Sequence, residues 1–444
     1  MLFKFMRFFD RKEEIATLRK IRDNAERNAQ FTVLTGRRRI GKTSLVLKAY
    51  EDKPVLYFFV GRKAESLLCE EFRHEVEDKL GIKLGGTPSG FAELFDYLME
   101  LSKQQSFTLF IDEFQNFVRV NPSVFSDIQK IWDLNHSESR MNLVVCGSIY
   151  SMMTKIFRDK KEPLYNRQNR FMTIHAFKPS VLKEILDAYH PGYTKEDLLA
   201  LYTFTGGVAK YVELLVDDNA LTYEAMIDSI ISPDSTFINE GRSILIEEFG
   251  KDYDTYFSIL SAIASGKTRR SEIESIIGRH ISGYLTRLED DYEIITKQIP
   301  VGAKPLSKNA IYVIRDNFFT FWFRFIFKYA HIIEIGAYGQ LRTLIKRDYP
   351  IYSGKILERY FIDKAIESGG YTLIGQWWDR KGENEIDMIT ANELDKTVEI
   401  YEIKRNRQKI DMSALEQKVK IMLTTVHLFN GYHIETKGLD LQDM

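Results

Sequence analysis

The chain is poor in the features that mark specialised classes of protein. It has two cysteines in 444 residues, Cys69 and Cys146, each beside apolar neighbours; this excludes a disulfide-framed scaffold and points to a cytosolic protein. Neither sign of charge is in excess. The 62 basic and 63 acidic side chains leave a formal charge of -1, so no global field gathers polyanions and any nucleic-acid contact must be a local patch. Long uncharged apolar runs are also missing. The most lipid-like stretch, "FFTFWFRFIFKYAHIIEIGAY" from Phe318, is interrupted by Arg324, Lys328, His331 and Glu334, which predicts a buried aromatic helix rather than a membrane span. The opening "MLFKFMRFFDRKEE" has too short an apolar run for a signal peptide and no small-residue cleavage site.

What is present is an ordinary soluble composition, 44% hydrophobic and 28% charged, on a chain longer than one core usually serves. Length suggests about three domains. The pattern divides the chain into four stretches. Residues 1–178 alternate β-rich runs with helical ones, as an α/β fold around a mostly parallel sheet does; the candidate strands are "FTVLT" from Phe31, "VLYFFV" from Val55, "FTLFI" from Phe107, "NLVVCG" from Asn142 and "FMTIHAF" from Phe171. Residues 179–248 are helical, with apolar residues at helical spacing in "VLKEILDAY" and "VAKYVELLVDD". Within 249–345, helices and the β-prone "YEIITKQIP" suggest a winged helix-turn-helix followed by the aromatic connector. Residues 346–444 mix strands and helices again, beginning with "KILERYFIDKAIES" from Lys355.

The sharpest motif is "GRRRIGKTS": Gly36, Arg37, Arg38, Arg39, Ile40, Gly41, Lys42, Thr43 and Ser44. It fits G-x-x-x-x-G-K-[ST] and stands directly between a strand and a helix. Backbone N–H groups of such a loop cradle phosphates, the lysine reaches the β- and γ-phosphates, and the threonine hydroxyl can hold magnesium. ATP and Mg2+ are the expected cofactors. The strand "TLFIDEFQ" ends in two acids, an expensive way to end a buried strand unless they are used. Asp112 suits magnesium and Glu113 suits the activation of water. The strand "VLYFFV" lies between the two motifs in sequence, which places the chain with the additional-strand P-loop NTPases.

With these residues in view, the chain resembles the archaeal-type AAA+-related ATPases, also found in bacteria, that carry a C-terminal nuclease-like domain of uncharacterised function. The resemblance rests on "FFDRKEEI" from Phe8, "GRRRIGKTSL", "FIDEFQ", "VVCGSIYSMM", "PLYNRQNRF", "TGGVAKYVELL", "YVIRDNFFTFWFRF", "EIDMI" and "YEIKRN". It implies a helical lid after the P-loop domain. It also implies a polar sensor at Ser148, an arginine at Arg167 that meets the γ-phosphate from its own chain or a neighbour's, and a second sensor at Lys210. Ala209 stands where the last motif usually has proline.

Two questions stay open in the sequence. The helix "SGYLTRLED" with Lys267, Arg269 and Arg270 nearby suits DNA, yet Glu272, Glu274, Glu289, Asp290 and Asp291 surround those cations and suit a domain that packs on the ATPase instead. In "VEIYEIKRN", Val398, Ile400, Glu402 and Lys404 share one strand face that turns from apolar to ionic. Fifteen positions before Glu402, Asp387 is expected at the end of another apolar run in "EIDMI". Two carboxylates about 4 Å apart repel by roughly 4 kcal/mol at an effective dielectric near 20, which a divalent metal or Lys404 would have to offset. Asp387, Glu402 and Lys404 fit the D…E-x-K pattern of PD-(D/E)xK nuclease-like domains, in which the acids hold magnesium and the lysine stabilises the attacking water or the developing phosphorane charge; Glu358 and Gln417 resemble accessory positions. The alternatives are an i, i+2 surface ion pair, or a nuclease-like fold that retains no cleavage activity. The chain therefore reads as a cytoplasmic ATPase with no membrane partner. Its nucleotide state either drives DNA processing or defence, or works a regulatory switch through a protein partner or self-association.

Overall fold

The computed structural model describes residues 6–444, so the first five residues of the opening segment lie outside it. The described chain forms two compact units, one of residues 10–175 and one of 176–444 with residues 6–9.

The first unit is built on a parallel sheet of β1 (Gln30–Thr35), β2 (Val55–Phe59), β3 (Phe107–Asp112), β4 (Met141–Cys146) and β5 (Arg170–Thr173), in the order β2-β3-β4-β1-β5. Strands β3 and β4 are buried at every position, and their apolar residues run without alternation because helices cover both faces. Phe31, Val33, Leu109, Ile111, Leu143 and Val145 fill the core, joined by helix residues such as Phe72, which stacks on Phe58 at 4.2 Å. The acidic strand β3 is separated from β1 by β4, as additional-strand topology requires. All strands run the same way, so the C-terminal ends of β1, β3 and β4 share one edge. Leu34 pairs with Cys146, and Ile111 with Val145. The fifth strand stops at Thr173 instead of reaching Phe177: Ile174 N–H still bonds Thr35 O at 2.8 Å, but the chain then lies over Gly36.

The second unit opens with the helices Pro179–Tyr189, Lys195–Thr205, Ala209–Asp217, Tyr223–Ile230 and Thr236–Phe249. Lys195–Thr205 is buried from Asp197 onward, starts on a Thr194/Asp197 capping box and stops at Gly206 in the left-handed conformation. Helices Tyr253–Ala264, Arg270–Ile277 and Ser282–Thr286 follow, then an antiparallel ribbon of β6 (Ile295–Gln298) and β7 (Ile311–Ile314). The aromatic stretch differs from the single helix expected. It comprises Asn317–Phe321 with a π-helical continuation to Phe327, a break, and Ala330–Glu334. Trp322 packs so closely on the helix Thr236–Phe249 that a Cβ on Gly241 would come 2.4 Å from its indole. Among the described residues no helix is long and apolar enough to cross a membrane.

Helix Tyr338–Ser368 runs for 31 residues with Pro350 inside it, so positions 345 and 346, where the sequence suggested a boundary, both lie within one helix. It leads to a mixed sheet of β8 (Leu373–Trp378), β9 (Glu385–Asn392), β10 (Thr397–Ile403) and β11 (His433–Leu439), ordered β11-β10-β9-β8. Strands β8, β9 and β10 are antiparallel in succession. β10 and β11 are parallel, joined across the helix Met412–Leu423. Trp377, Ile389, Val398, Ile400, Leu415 and Met422 make its core.

Candidate functional site

The motif loop leaves β1 and enters the helix Lys42–Ala49. Gly36 has φ +137°, and a Cβ there would sit 2.4 Å from Ile174 O, so the motif's first glycine is required on both counts. Gly41, at φ 93°, caps the helix in the left-handed region, and Arg39 shares that region at φ 67°. Ile40 is buried and anchors the loop. Lys42 is also buried and folds back over the loop, its Nζ donating to Gly36 O at 2.8 Å and Arg37 O at 3.2 Å. Arg38 is half-buried on the same loop, and Ser44 is exposed one residue beyond Thr43.

Thr43 Oγ1 donates to Asp112 Oδ2 at 2.7 Å, joining the two motifs. Asp112 is 6% exposed and meets neutral donors on both oxygens: Tyr57 hydroxyl at 3.0 Å on Oδ2, with Cys146 Sγ and the Glu113 N–H, each at 2.8 Å, on Oδ1. Burial, and then the charge of Asp112, pushes the Cys146 thiol up and keeps it a donor; the Tyr57 phenol is raised by the same two causes. Glu113 takes a left-handed φ of 54°, and its Oε2 accepts from Ser148 Oγ at 2.8 Å and from Gln115 Nε2. A Cβ on Gly147 would come 2.2 Å from Gln115 Oε1, so the turn after β4 closes on that glutamine. Gln115, Tyr57 and Cys146 were not singled out in the sequence. The only signals were a polar residue just past the acids and polar groups on flanking strands.

Lys42, Thr43, Asp112, Glu113 and Ser148 are thus brought to one edge of the sheet, and Arg167 is not. Its guanidinium forms a two-pronged pair with Asp133 at 2.8 and 3.1 Å. Two residues on, Asn169 bonds Phe31 N–H and O at the start of β1, each at 2.7 Å. The six residues of β1, about 20 Å at roughly 3.3 Å per residue, separate that end from the loop, so Arg167 cannot reach the phosphate site of its own chain. Lys210 belongs to the second unit, where its Nζ lies 3.1 Å from Glu213.

The second cluster lies in the mixed sheet. Asp387 opens the apolar run of β9 rather than closing it, because β9 and β10 are antiparallel: Met388 pairs with Tyr401, which sets the start of β9 beside the end of β10. Asp387 is 4% exposed and Glu402 6%. Lys404 Nζ lies 2.8 Å from each, while Ile403 N–H donates to Asp387 Oδ2 at 2.7 Å. Lys418 holds the other oxygen of Glu402 at 3.0 Å. The expected accessory residue Gln417 is exposed, and its neighbour Lys418 turns inward instead. Burial opposes charge on Glu402, but the two lysines override it and hold the carboxyl below its usual range. Lys404 is likewise held up by Asp387 and Glu402 against the effect of burial.

Glu358, from the long helix, completes the cluster. One carboxylate oxygen each of Glu358, Glu385 and Asp387 lie within 4.8 Å of one another, a hard-oxygen donor set that fits a divalent cation such as magnesium. Burial pushes the Glu358 carboxyl up, and Asp387 and Glu385 add to this against Lys355. Lys355 Nζ bridges Glu358 at 3.2 Å and Glu385 at 2.7 Å, and Gln376 Nε2 donates to Asp387 O at 2.9 Å. Glu402 stands outside this trio.

The loop between β6 and β7 is committed to the same sheet. Val301 N–H bonds Gln376 O at 2.9 Å where β8 slips register, and Trp378 Nε1 bonds Asn309 O at 2.9 Å. Of the cations considered for phosphate contact, Arg269 donates to Arg380 O at 3.2 Å and Arg270 to Glu274 at 2.9 Å.

Comparison with known proteins agrees with this geometry. Residues 8–215 match a family described as an ATPase domain predominantly from Archaea, and residues 322–418 match one described as archaeal and bacterial proteins of unknown function. An uncharacterised protein of Methanocaldococcus jannaschii is 31% identical over 407 residues, spanning 89% of this chain and 87% of that protein. Among solved structures, a Walker-type ATPase of Pyrococcus abyssi superposes with a TM-score of 0.55 at 19% identity, over 73% of this chain and 100% of its own. The ORC2 protein of Aeropyrum pernix, in ADPNP–ADP complexes, gives 0.50 at 12% identity, over 75% and 96%. These likenesses establish the P-loop NTPase fold. The chain belongs to the archaeal-type, AAA+-related P-loop ATPase family, also found in bacteria, in which an ATPase domain is joined to a C-terminal domain of unknown function.

Proposed function

We propose that the chain binds and hydrolyses ATP with magnesium at the edge formed by β1, β3 and β4, and that its nucleotide state governs a nuclease-type site in the C-terminal sheet. The observation that carries the first half is the bond from Thr43 Oγ1 to Asp112 Oδ2, which joins both motifs. Thr43 and Asp112 are the residues that would hold the ion, which when bound would supply charge to the phosphates. Lys42 exchanges its contacts with loop carbonyls for phosphate oxygens, and loop residues 36–44 offer their N–H groups. Glu113 takes the proton of the attacking water, held in aim by Ser148 and Gln115. Arg167, at the far edge, suits the site of a neighbouring copy, which makes self-association part of the proposal; Lys210 remains the candidate second sensor.

The C-terminal half of the proposal rests on Asp387, Glu402 and Lys404 converging at one strand end, with Glu358 beside them. Asp387 and Glu358 would hold a metal, and Lys404 would steady charge developing on a phosphodiester. DNA is the proposed substrate. On this reading 1–178 is the ATPase, 179–248 a lid, 249–345 a winged helix with its aromatic connector, and 346–444 the nuclease-like part, the last two sharing a helix. The engagement of the β6–β7 loop and Arg269 favours a winged helix that carries the C-terminal sheet rather than reading bases.

A second reading, a regulatory switch whose C-terminal domain only binds a partner, is favoured by the two lysines that already neutralise Glu402. The deciding experiment is Mg2+- or Mn2+-dependent cleavage of linear, circular and branched DNA, with and without ATP, beside Lys404→Ala. Cleavage lost in the variant supports the nuclease reading. Cleavage unchanged by the substitution, or none by the intact chain, leaves the switch.

A further inference from the structure

The residue after Lys404 is held by a different part of the chain from the residues Lys404 itself meets. Arg405 Nη1 donates to Ser353 Oγ at 2.6 Å, and its other terminal nitrogen pairs with Glu196 in the first turn of the helix Lys195–Thr205. Its guanidinium carbon lies 5.6 Å from the ring centre of Tyr349. That ring is buried, 4.7 Å from Tyr223 and 5.6 Å from Phe204, so the clamp rests on an aromatic cluster shared with the lid helices. Ser353 is fully buried, and its own hydroxyl donates a hydrogen bond to Tyr349 O at 2.7 Å. Among the described residues the far oxygen of Glu196, Oε1, is buried with no hydrogen-bond partner, and Arg405 pairs with the near one.

The same helix turn takes the next strand's exit as well. Lys195 Nζ donates to Met444 O at 2.6 Å, and Arg407 pairs with Asp443 at 2.8 Å. The segments leaving the neighbouring parallel strands β10 and β11 therefore both end on Lys195 and Glu196. Upstream, Ile174 O faces Gly36 of the phosphate loop, and only residues 176–178 separate His175 from the first lid helix at Pro179. Phe177 N–H is fixed there by Gly207 O at 2.8 Å, just past the end of the helix Lys195–Thr205.

We propose that Arg405 is a positioning residue that sets Lys404 against Asp387 and Glu402 by fastening the segment after β10 to the first turn of the lid helix Lys195–Thr205. Displacement of that helix is then felt at Lys404 through one covalent step. This inference rests on the proposed function for the meaning of Lys404 and of the lid, but not for the linkage itself. An arginine suits the task because its fork reaches a hydroxyl, a carboxylate and a ring face together, which a lysine does not.

The test uses the full chain and hydrogen exchange of the segment after β10, whose anchor is the Lys404 N–H bond to Leu439 O at 3.1 Å. In Arg405→Ala and Glu196→Gln, exchange at 404–408 should quicken at least tenfold while β8, β9 and the first sheet keep their protection. Arg405→Lys should rescue little, and the charge-swapped pair Glu196→Arg with Arg405→Glu should recover only the part of the protection owed to the ion pair. Adding ATP and Mg2+ should change exchange at 404–408 in the native chain and leave it unchanged in Arg405→Ala. Unaltered exchange at 404–408 in the folded variants overturns the proposal. So does uniform loosening of 371–444, which would make Arg405 a general anchor. If the native chain cuts no DNA but the exchange pattern holds, the nuclease reading fails and the linkage stands. If it cuts DNA and Arg405→Ala cuts equally well with unchanged exchange, the linkage alone fails.

Discussion

Asp112 and Glu402 are both buried carboxylates at the C-terminal end of a strand, 6% exposed in each case, yet they are held in opposite ways. Asp112 is surrounded by a hydroxyl, a phenol, a thiol and an amide, none carrying charge. Glu402 has an ammonium on each oxygen. Neutral donors aim a carboxylate and leave its charge unspent, so it remains available to an arriving cation. Ammonium groups spend the charge inside the protein. In the C-terminal cluster the carboxyls of Glu358, Glu385, Asp387 and Glu402 face Lys355, Lys404 and Lys418; burial pushes Glu358 toward its protonated form, and the other three carboxylates are matched by three ammonium groups. On the proposed function the phosphate site is poised for a metal, while the C-terminal cluster is near neutrality without one.

The largest expected effect separates binding from folding at the first site. Lys42→Ala should weaken ATP binding by more than about 100-fold in calorimetry, at an ordinary melting temperature, because the loop carbonyls to which Lys42 donates can be satisfied by loop rearrangement. Glu113→Gln should keep binding and lower turnover about 100- to 10,000-fold, the range of a lost general base. The comparison itself breaks or holds on Lys404→Ala beside Asp112→Asn. Removing Lys404 leaves Asp387 and Glu402 facing one another and should cost about 1–3 kcal/mol, discounted because the lysine side chain is 35% exposed. Mn2+ should restore much of that in thermal unfolding. Asp112→Asn, amid neutral donors, should cost under about 1.5 kcal/mol without metal. Equal losses in the two variants would refute the contrast.

The two sites also differ in how much of them the sequence disclosed. The phosphate loop is contiguous, and its conformational demands appear as Gly36 and Gly41, so the motif located both the loop and the helix behind it. The acid pair at the end of β3 was readable for the same reason. The C-terminal cluster draws on a helix, three strands and a second helix, and the linear text held only Asp387 and E-x-K. Glu358 was found by position, but Gln417 was chosen where Lys418 serves, a slip of one residue and so about 100° around a helix. Asp387 was placed at the wrong end of its strand because an apolar run does not declare its direction. Antiparallel pairing decides that, and it brings Asp387 to Glu402 more directly than the expected arrangement. Arg167 lies just before β5, and in a parallel sheet the residues just before a strand lie on the edge opposite the phosphate loop, a placement that the motif resemblance does not carry.

Acid stability offers a finer view of the same difference. The Glu402 carboxyl is held below its usual range by Lys404 and Lys418 against burial, so the folded chain binds this proton less readily than the unfolded one. The resulting stability is complete above the unfolded value of about 4.3 and is lost as pH falls through the folded value. Lys418→Met should remove part of that contribution, lowering a urea-midpoint profile where the contribution is complete and flattening its acid limb, so that the two profiles converge as pH falls. A variant whose profile only shifts downward, with the same slope between about pH 5 and 3, would mean Lys418 contributes packing rather than charge.

The smallest effect falls on Tyr57, a neutral donor to the phosphate site. Burial, then Asp112, raises its phenol, so it stays protonated and donates its hydrogen to Oδ2 beside Thr43. Tyr57→Phe leaves the ring against Phe110, at a centroid separation of 5.4 Å, and deletes only the bond. Stability should fall by about 0.5–1.5 kcal/mol, the net worth of one such bond. Because the phenol competes with an ion for the same oxygen, the Mg2+ concentration giving half-maximal turnover should stay level or fall a few-fold. A rise of tenfold or more would mean the phenol aims Asp112 at the metal, and that neutral donors at this site do more than leave its charge unspent.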